Sequence, residues 1–134
     1  MWLARLRRAR AIFCRFSSRG AGPVTTAGSG AEGAVSAVAG ADGWLINGEK
    51  MWITSGGIAD VAVVWAQTDE GIRGFVVPTD TPGFSVGRNI EKMGNHSSDT
   101  AELVFEDVRV PVSNTIGEIG RGFPLFMKTL DGGR

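Results

Sequence analysis

A short stretch near the middle of the sequence, MWITSGG at residues 51–57, places an indole and a hydroxyl where both could bind one flat ligand. Trp52 offers a large surface on which another ring can stack. Thr54 lies two residues further on, so on a β-strand its hydroxyl points to the same side as the indole. The other interpretation is a core aromatic at Trp52 and a strand-forming residue at Thr54, and an isolated Trp-x-Thr favours this second interpretation.

Elsewhere the sequence offers few residues for catalysis. His96 is the only histidine, and its polar loop is typical of a solvated side chain. Three carboxylates follow one predicted strand and indicate a solvent-facing surface: Glu102, Glu106 and Asp107. The sequence has no Cys/His metal spacing, no Walker loop and no G-x-S-x-G motif. We therefore predict no metal site, and any redox chemistry must come from a cofactor.

Short apolar runs separated by turn residues follow from Gly43 onward. Asn47-Gly48 predicts a hairpin turn between GWLIN and EKMWITS. DVAVVWAQT and IRGFVVP predict a second hairpin over TDEG, and a Pro-Gly turn starts another strand at Phe84 to Val86. TAELVFEDVRVP alternates apolar and polar residues as a half-buried antiparallel strand does. Turn signals every 8 to 12 residues or so predict a mainly β fold, an antiparallel barrel or sandwich rather than βαβ units.

The C-terminal stretch GRGFPLFMKTLDGGR predicts a helix, because its apolar residues fall on one stripe. These residues are Phe123, Leu125, Phe126, Met127 and Leu130. No further sequence follows to pack against that stripe, and on this ground we expect a truncated chain.

The N-terminal part differs in composition from the rest of the chain. Residues 1–31 contain six arginines and no acid, whereas the other 103 residues carry eight basic and 14 acidic side chains. The acidic body makes nucleic-acid binding by the folded part an unlikely function class. The arm has the composition of a mitochondrial transit peptide, and a disordered basic tail is the alternative. Because its Gly- and Ala-rich residues bury little area, we predict that residues 1–42 are poorly ordered.

Cysteine content and hydropathy limit the compartment. Cys14 is the only cysteine, which excludes an internal disulfide and fits a reducing compartment. No apolar run approaches the roughly 18 residues that a membrane-spanning helix needs. We therefore expect a soluble chain with one core, without membrane partners, in the cytoplasm, or in the mitochondrial matrix if the arm is a transit peptide.

Several motifs occur together in one order: NGEKMWITSG, RGFVVPTDTPGFSVG, EKMG followed by SSDTAELVFEDVRVP, and GEIGRGFPLFMKTLDGGR. They resemble the middle β-domain of the acyl-CoA dehydrogenases and the first helix of their C-terminal domain, over about residues 43–134. The resemblance implies a β-domain at residues 43–117 and the start of a helical domain at residues 118–134, after the arm at residues 1–42.

The resemblance also implies a cofactor site on the Trp-Ile-Thr strand. In the family this strand lies against FAD, so Trp52, Ile53 and Thr54 are expected to bind the cofactor. Trp52 would shield one edge of the isoalloxazine, and the Thr54 hydroxyl would hydrogen-bond the ring near N5. With the surrounding motifs in register, this interpretation is favoured over a core aromatic.

Substrate contacts are carried over at two other places. LDGGR resembles the family's Asp-x-x-Arg segment that contacts acyl-CoA, which implies that Asp131 and Arg134 bind the substrate. The alternative for Arg134 is a cation that complements a helix C-terminus. The family's TEPxxGSD-like stretch corresponds to TTAGSGAEG here, where Gly28 and Ser29 match, so Ser29 is carried over as a further substrate contact.

The activity implied is α,β-dehydrogenation of an acyl-CoA to a 2-enoyl-CoA with hydride transfer to FAD. An electron-transferring flavoprotein reoxidises the flavin, and full-length relatives form homo-oligomers. The family's catalytic Glu has no counterpart here, so we assign no catalytic residue. We expect a fragment that is inactive alone, with residues 1–42 either native or out of frame. The alternative is a non-catalytic β-domain that binds or regulates a partner protein through the apolar stripe of its helix.

Overall fold

In a computed structural model, the structure describes residues 11–14, 35–118 and 121–132. These residues form eight β-strands, a short 3₁₀ helix at Val112–Asn114 and one α-helix. The strands are β1 (Ala11–Cys14), β2 (Val35–Gly40), β3 (Gly43–Thr54), β4 (Val61–Thr68), β5 (Gly71–Pro78), β6 (Phe84–Asn89), β7 (Thr100–Val110) and β8 (Thr115–Ile116), and the helix is α1 (Gly122–Gly132).

The strands form one sheet in the order β6-β7-β3-β2-β4-β5-β8. Neighbours in this order are antiparallel, except that β2 and β4 are parallel and pair at Ser36 and Gln67. β1 also runs parallel to β4, with which it pairs from Ala11 to Cys14. One edge of β4 is therefore shared between β1 and β2. The mainly β, antiparallel architecture predicted from the turn spacing is confirmed, as an open sheet whose order begins at β6 and ends at β8.

The second predicted hairpin is confirmed, and its turn is closed by a threonine. β4 and β5 pair along their whole length, with Thr68 opposite Gly71. The Thr68 hydroxyl donates to the Gly71 carbonyl at 2.7 Å and accepts from the Glu70 amide at 3.3 Å. Gly71 has a φ of 106°, which a residue with a side chain rarely adopts.

The first predicted hairpin, at Asn47-Gly48, is wrong. β3 runs without interruption through both residues. The turn lies earlier, where two residues connect β2 and β3 and Gly40 pairs with Gly43. Gly43 permits this turn because a Cβ there would lie 2.3 Å from the Val110 carbonyl oxygen.

Asn47 instead supports a bulge in the neighbouring strand. Ile46 pairs with Val108, whereas the residue after Asn47 pairs with Phe105, so β7 holds one extra residue at this point. The Asn47 side-chain amide donates to the Asp107 carboxylate at 3.1 Å, and its oxygen accepts from the Asp107 amide at 2.7 Å. The Asn47 side chain thus pairs with the Asp107 backbone amide, which the bulge removes from the ladder, and it also binds the Asp107 carboxylate. An Asn-Gly pair can serve a bulge as well as a turn.

Regular structure also begins earlier than the sequence predicts. The prediction of a poorly ordered stretch up to residue 42 is wrong for β1 and β2, while the rest of that stretch lies outside the described residues. β2 is held by six paired positions on β3, and its Val35 and Ala37 are buried. Small residues are ordered here because the neighbouring strand supplies the hydrogen bonds and the buried surface.

The core lies on one face of the sheet. Its members come from β2, β3, β4, β5 and β7, and those of β7 alternate on either side of its bulge. They are Val35, Ala37, Ile46, Ile53, Ala62, Val64, Ala66, Phe75, Val77, Leu103, Phe105, Val108 and Val110. The predicted half-buried strand at TAELVFEDVRVP is therefore confirmed.

The helix α1 packs on β5 and on β4, as the contacts of two residues show. A Cβ on Gly122 would lie within bonding distance of the Ile72 carbonyl oxygen, so the helix backbone rests directly on the strand. Phe126 is buried and its ring meets that of Trp65 edge-on, with 5.4 Å between centroids. The predicted helix is confirmed, but its stripe is only partly covered, because Phe123 is 55% exposed.

Candidate functional site

The predicted ligand-binding residues lie at the end of β3, where the strand has a β-bulge. Lys50 pairs with Leu103 and Ile53 with Ala101. Two residues of β3, the second of them Trp52, therefore face a single residue of β7. A bulge of this kind bends its strand and changes the direction of a side chain.

Trp52 occupies the bulge in a conformation that is unusual for an aromatic residue. Its φ is 63°, in the left-handed region, and its side chain is 64% exposed. The left-handed conformation costs an L-residue about 1 to 2 kcal/mol. Core packing does not repay this cost, because most of the indole is in solvent. Such strain concentrates at sites that bind ligands.

Exposure alternates along the next two residues. Ile53 is only 6% exposed and belongs to the core, whereas Thr54 is exposed like Trp52. Thr54 and Trp52 therefore share the outer face of the sheet, as the strand period implies. Any contact of Ile53 with a ligand on that face has to come from its backbone, since its side chain points into the core and anchors the strand there.

The chain turns away directly after Thr54, and Asp99 holds that turn. Ser55 is also left-handed, with a φ of 62°. Its amide donates to the Asp99 carbonyl oxygen at 2.8 Å, and the Gly57 amide donates to the Asp99 carboxylate at 2.8 Å. Asp99 is not among the residues predicted from the sequence. Its available signal was the Gly56-Gly57 pair, which marks a close approach of the backbone to another group.

The predicted substrate contacts are not all within the described residues. Asp131 lies on α1 and is exposed, while Ser29 and Arg134 lie outside the described part of the chain. α1 packs against β5 and β4, and β2 separates β4 from β3 in the sheet. The described contacts therefore place Asp131 on a helix that packs on a different strand from the one that carries Trp52.

The remaining polar candidates contribute no metal site. Among the described residues, no three His, Cys, Asp or Glu side chains come close enough to hold a metal ion. His96 is exposed in its loop, and Glu106 and Asp107 are exposed as predicted. Glu102 differs, because it is half-buried over Gly87, where a Cβ would lie 2.9 Å from its carboxylate. In the described chain no helix has both the length and the hydropathy to cross a membrane.

Comparison with known proteins identifies a family. Residues 25–108 match the model of the acyl-CoA dehydrogenase middle domain. The short-chain specific acyl-CoA dehydrogenase of Clostridium acetobutylicum is 50% identical over 111 residues, which cover 79% of this chain and 29% of that protein. Relatives include bacterial proteins and mitochondrial ones. The chain spans between 24% and 30% of the length of these relatives.

Solved structures of the same kind share the fold. Butyryl-CoA dehydrogenase from Megasphaera elsdenii superimposes with a TM-score of 0.77 at 39% identity, over 93% of this chain and 33% of that one. A glutaryl-CoA dehydrogenase from Mycobacterium smegmatis, solved in complex with FADH2, superimposes with a TM-score of 0.71 at 42% identity, over 93% of this chain and 32% of that one.

Proposed function

The chain belongs to the acyl-CoA dehydrogenase family, and from that premise we propose that its β3 strand forms part of an FAD site in an enzyme that converts an acyl-CoA to a 2-enoyl-CoA. The observation that carries the proposal is Trp52, an exposed indole held in a strained left-handed conformation on a bulge. Strain of this kind persists where the surrounding structure maintains it for a purpose such as binding.

The residues on the outer face suit a flavin. A flavin ring is flat, apolar on its faces and lined with nitrogen and oxygen atoms at its edges. The Trp52 indole supplies a surface for the ring, and the exposed Thr54 hydroxyl can donate to or accept from an edge atom. Ile53 fixes the strand between them by packing into the core. When bound, the flavin supplies the acceptor for the hydride that leaves the β-carbon of the substrate.

No residue of this chain is assigned to proton transfer. Removal of the α-proton needs a base within hydrogen-bond reach of the substrate. Two carboxylates lie on or beside the part of β7 that faces the end of β3, and both have other contacts. Asp99 accepts a hydrogen bond from the Gly57 amide, and Glu102 packs on β6. We therefore limit the role of the chain to binding and orienting the cofactor.

Substrate, partner and compartment extend the proposal. We propose acyl-CoA as the substrate, with Asp131, Arg134 and Ser29 as its contacts, and an electron-transferring flavoprotein as the protein that reoxidises the cofactor. Assembly as a homo-oligomer belongs to the same proposal. The proposed compartment is the cytoplasm, with the mitochondrial matrix as the alternative.

The test is an FAD titration of the full chain, followed by flavin absorbance and fluorescence. We expect saturable binding whose Kd rises about 10-fold or more in Trp52→Ala, because stacking on an aromatic side chain contributes about 1 to 3 kcal/mol. In Thr54→Val, which keeps the side-chain shape, the loss of one hydrogen bond raises Kd by roughly 3- to 10-fold.

Matched controls lie on the 3₁₀ helix, which follows the β7 end that pairs with the start of β3, at the opposite end of β3 from Trp52. Val112→Ala removes exposed apolar surface and Ser113→Ala removes an exposed hydroxyl, and we expect neither to change the Kd. Binding that Trp52→Ala and Thr54→Val leave unchanged would place the flavin elsewhere on the chain and refute the proposed site.

A second candidate function is supported by the surface of α1. Phe123 and Met127 are both exposed and lie four residues apart, on one side of the helix. This apolar surface is suited to binding a partner protein. Such binding is the alternative function predicted from the sequence, that of a non-catalytic β-domain. The same titration separates the two functions, because a folded chain that does not bind FAD would favour partner binding.

A further inference from the structure

Two left-handed residues enclose the strand segment that carries the proposed flavin contacts. Trp52 begins the segment with a φ of 63°, and Ser55 follows its last residue with a φ of 62°. The left-handed conformation is unfavourable for any residue other than glycine. A short segment between two such residues therefore needs contacts with other parts of the chain to keep its direction. The placement of Thr54 therefore depends on what holds Ser55 and the turn behind it.

Asp99 holds that turn at two points. Its carbonyl oxygen accepts from the Ser55 amide, and its carboxylate accepts from the Gly57 amide, both at 2.8 Å. Gly57 makes this approach possible, because a Cβ there would lie 3.2 Å from both carboxylate oxygens.

The residue opposite Thr54 is fixed as well. Thr100 pairs with Thr54 and directly follows Asp99. The Lys92 ammonium donates to the Thr100 hydroxyl at 2.8 Å and to the Ser98 carbonyl at 2.5 Å. Asp99 therefore lies between two immobilised neighbours, and its own position is well determined.

We infer that Asp99 is a positioning residue, whose carboxylate fixes the turn after Thr54 and so the direction in which the Thr54 hydroxyl meets a bound flavin. The inference rests on the proposed function. Asp99 acts on Thr54 through the Gly57 amide, and no direct contact with the flavin is assigned to it. An acceptor oxygen at this position is what the role requires, and a negative charge is not.

The test compares Asp99→Ala, Asp99→Asn and Asn114→Ala in the full chain. Asn keeps an oxygen that can accept from Gly57, whereas Ala has none. Asn114→Ala is the matched control, because it removes a side-chain bond to the Val76 carbonyl, 3.0 Å long, far from the site in the sheet order. Urea unfolding shows whether the losses of stability are comparable.

The first readout needs no flavin. In NMR spectra of the free chain, we expect Asp99→Ala to shift or double the Thr54 signals and to speed hydrogen exchange at the Gly57 amide, while Asp99→Asn and Asn114→Ala leave both unchanged. Unchanged Thr54 signals in Asp99→Ala would overturn the inference, whatever the flavin titration shows.

The second readout is the Kd for FAD. The loss of the Gly57 contact is expected to raise it about 3- to 10-fold in Asp99→Ala, with near-normal values in Asp99→Asn and Asn114→Ala. An equal rise in Asp99→Ala and Asn114→Ala would reduce Asp99 to a general stabilising residue and overturn the positioning role. If the unaltered chain binds no FAD, the proposed function fails, and the NMR signals still decide whether Asp99 places Thr54.

Discussion

The left-handed conformation of Trp52 predicts a reversal of the usual order of stability between alanine and glycine. Both Trp52→Ala and Trp52→Gly remove the indole, so the lost packing is the same in the two variants. They differ only in the backbone. Alanine retains a Cβ that is unfavourable at a φ of 63°, whereas glycine adopts this φ without steric cost.

The magnitude follows from two opposing effects. A left-handed residue with a Cβ costs about 1 to 2 kcal/mol. Glycine loses more backbone entropy on folding and is about 0.5 to 1 kcal/mol less stable than alanine in an ordinary strand. The difference between these ranges is about 0 to 1.5 kcal/mol, so Trp52→Gly is expected to be more stable than Trp52→Ala by about 0.75 kcal/mol.

Met51 provides the matched control, because it lies in the same bulge but has no positive φ. There the ordinary order applies, and Met51→Ala is expected to be more stable than Met51→Gly by about 0.5 to 1 kcal/mol. The difference in stability between the alanine and glycine variants thus has opposite signs at Trp52 and Met51.

The assay is urea unfolding followed by far-ultraviolet circular dichroism, because indole fluorescence changes when Trp52 is replaced. The slope of the free energy against urea has to agree within each pair for the midpoints to be compared. If Trp52→Ala proved as stable as Trp52→Gly, the bulge would not hold Trp52 in the left-handed region, and strain could no longer support the proposed site.

Three further predictions concern packing and hydrogen bonds, and urea unfolding tests each of them. Gly57→Ala should destabilise the chain by about 1 to 2 kcal/mol, because the new Cβ would crowd the Asp99 carboxylate that accepts a hydrogen bond from the Gly57 amide. Gly94→Ala is the control and should be neutral or stabilising, since a Cβ there would have nothing within 4 Å. Equal effects of the two substitutions would exclude the close contact at Gly57. Phe126→Ala should cost about 3 to 5 kcal/mol of stability and Phe123→Ala less than about 1 kcal/mol. The reason is that the Phe126 ring is buried against β4, whereas the Phe123 ring is exposed. Similar losses in the two variants would mean that α1 does not pack as described. Asn47→Ala should cost about 1 to 3 kcal/mol, because it leaves the bulge of β7 without two hydrogen bonds, and a neutral result would show that water replaces the side chain there.

The proposed site combines a rigid sheet with a strained segment at its end. β3 is paired with β2 only up to Gly48, whereas its pairing with β7 continues to Thr54, and it contributes Ile46 and Ile53 to the core. At the end of the strand, Trp52 in the bulge and Thr54 after it present exposed side chains. A binding surface built on a paired strand keeps its geometry better than one on a free loop.

The sequence by itself determined most of the strands and the helix. The β4–β5 hairpin, the strand after the Pro-Gly turn, the alternating β7 strand and α1 all follow from local periodicity and turn residues, since burial on one face imposes that pattern on the residues themselves. The pairing of an exposed indole with a hydroxyl two residues away was also visible in the sequence, because alternation is a property of the strand alone.

Only the tertiary structure decided where the chain reverses and how Trp52 is held. Asn47-Gly48 is a turn signal, yet Asn47 supports a bulge because an extra residue in β7 happens to lie opposite it. The Gly- and Ala-rich residues of β2 are ordered by β3, which their composition cannot reveal. Likewise Asp99 is 42 residues from Gly57, whose amide donates a hydrogen bond to its carboxylate. Bulges, strand neighbours and such distant hydrogen bonds depend on register between separate segments, and register is set by the packing of the whole sheet rather than by any local pattern.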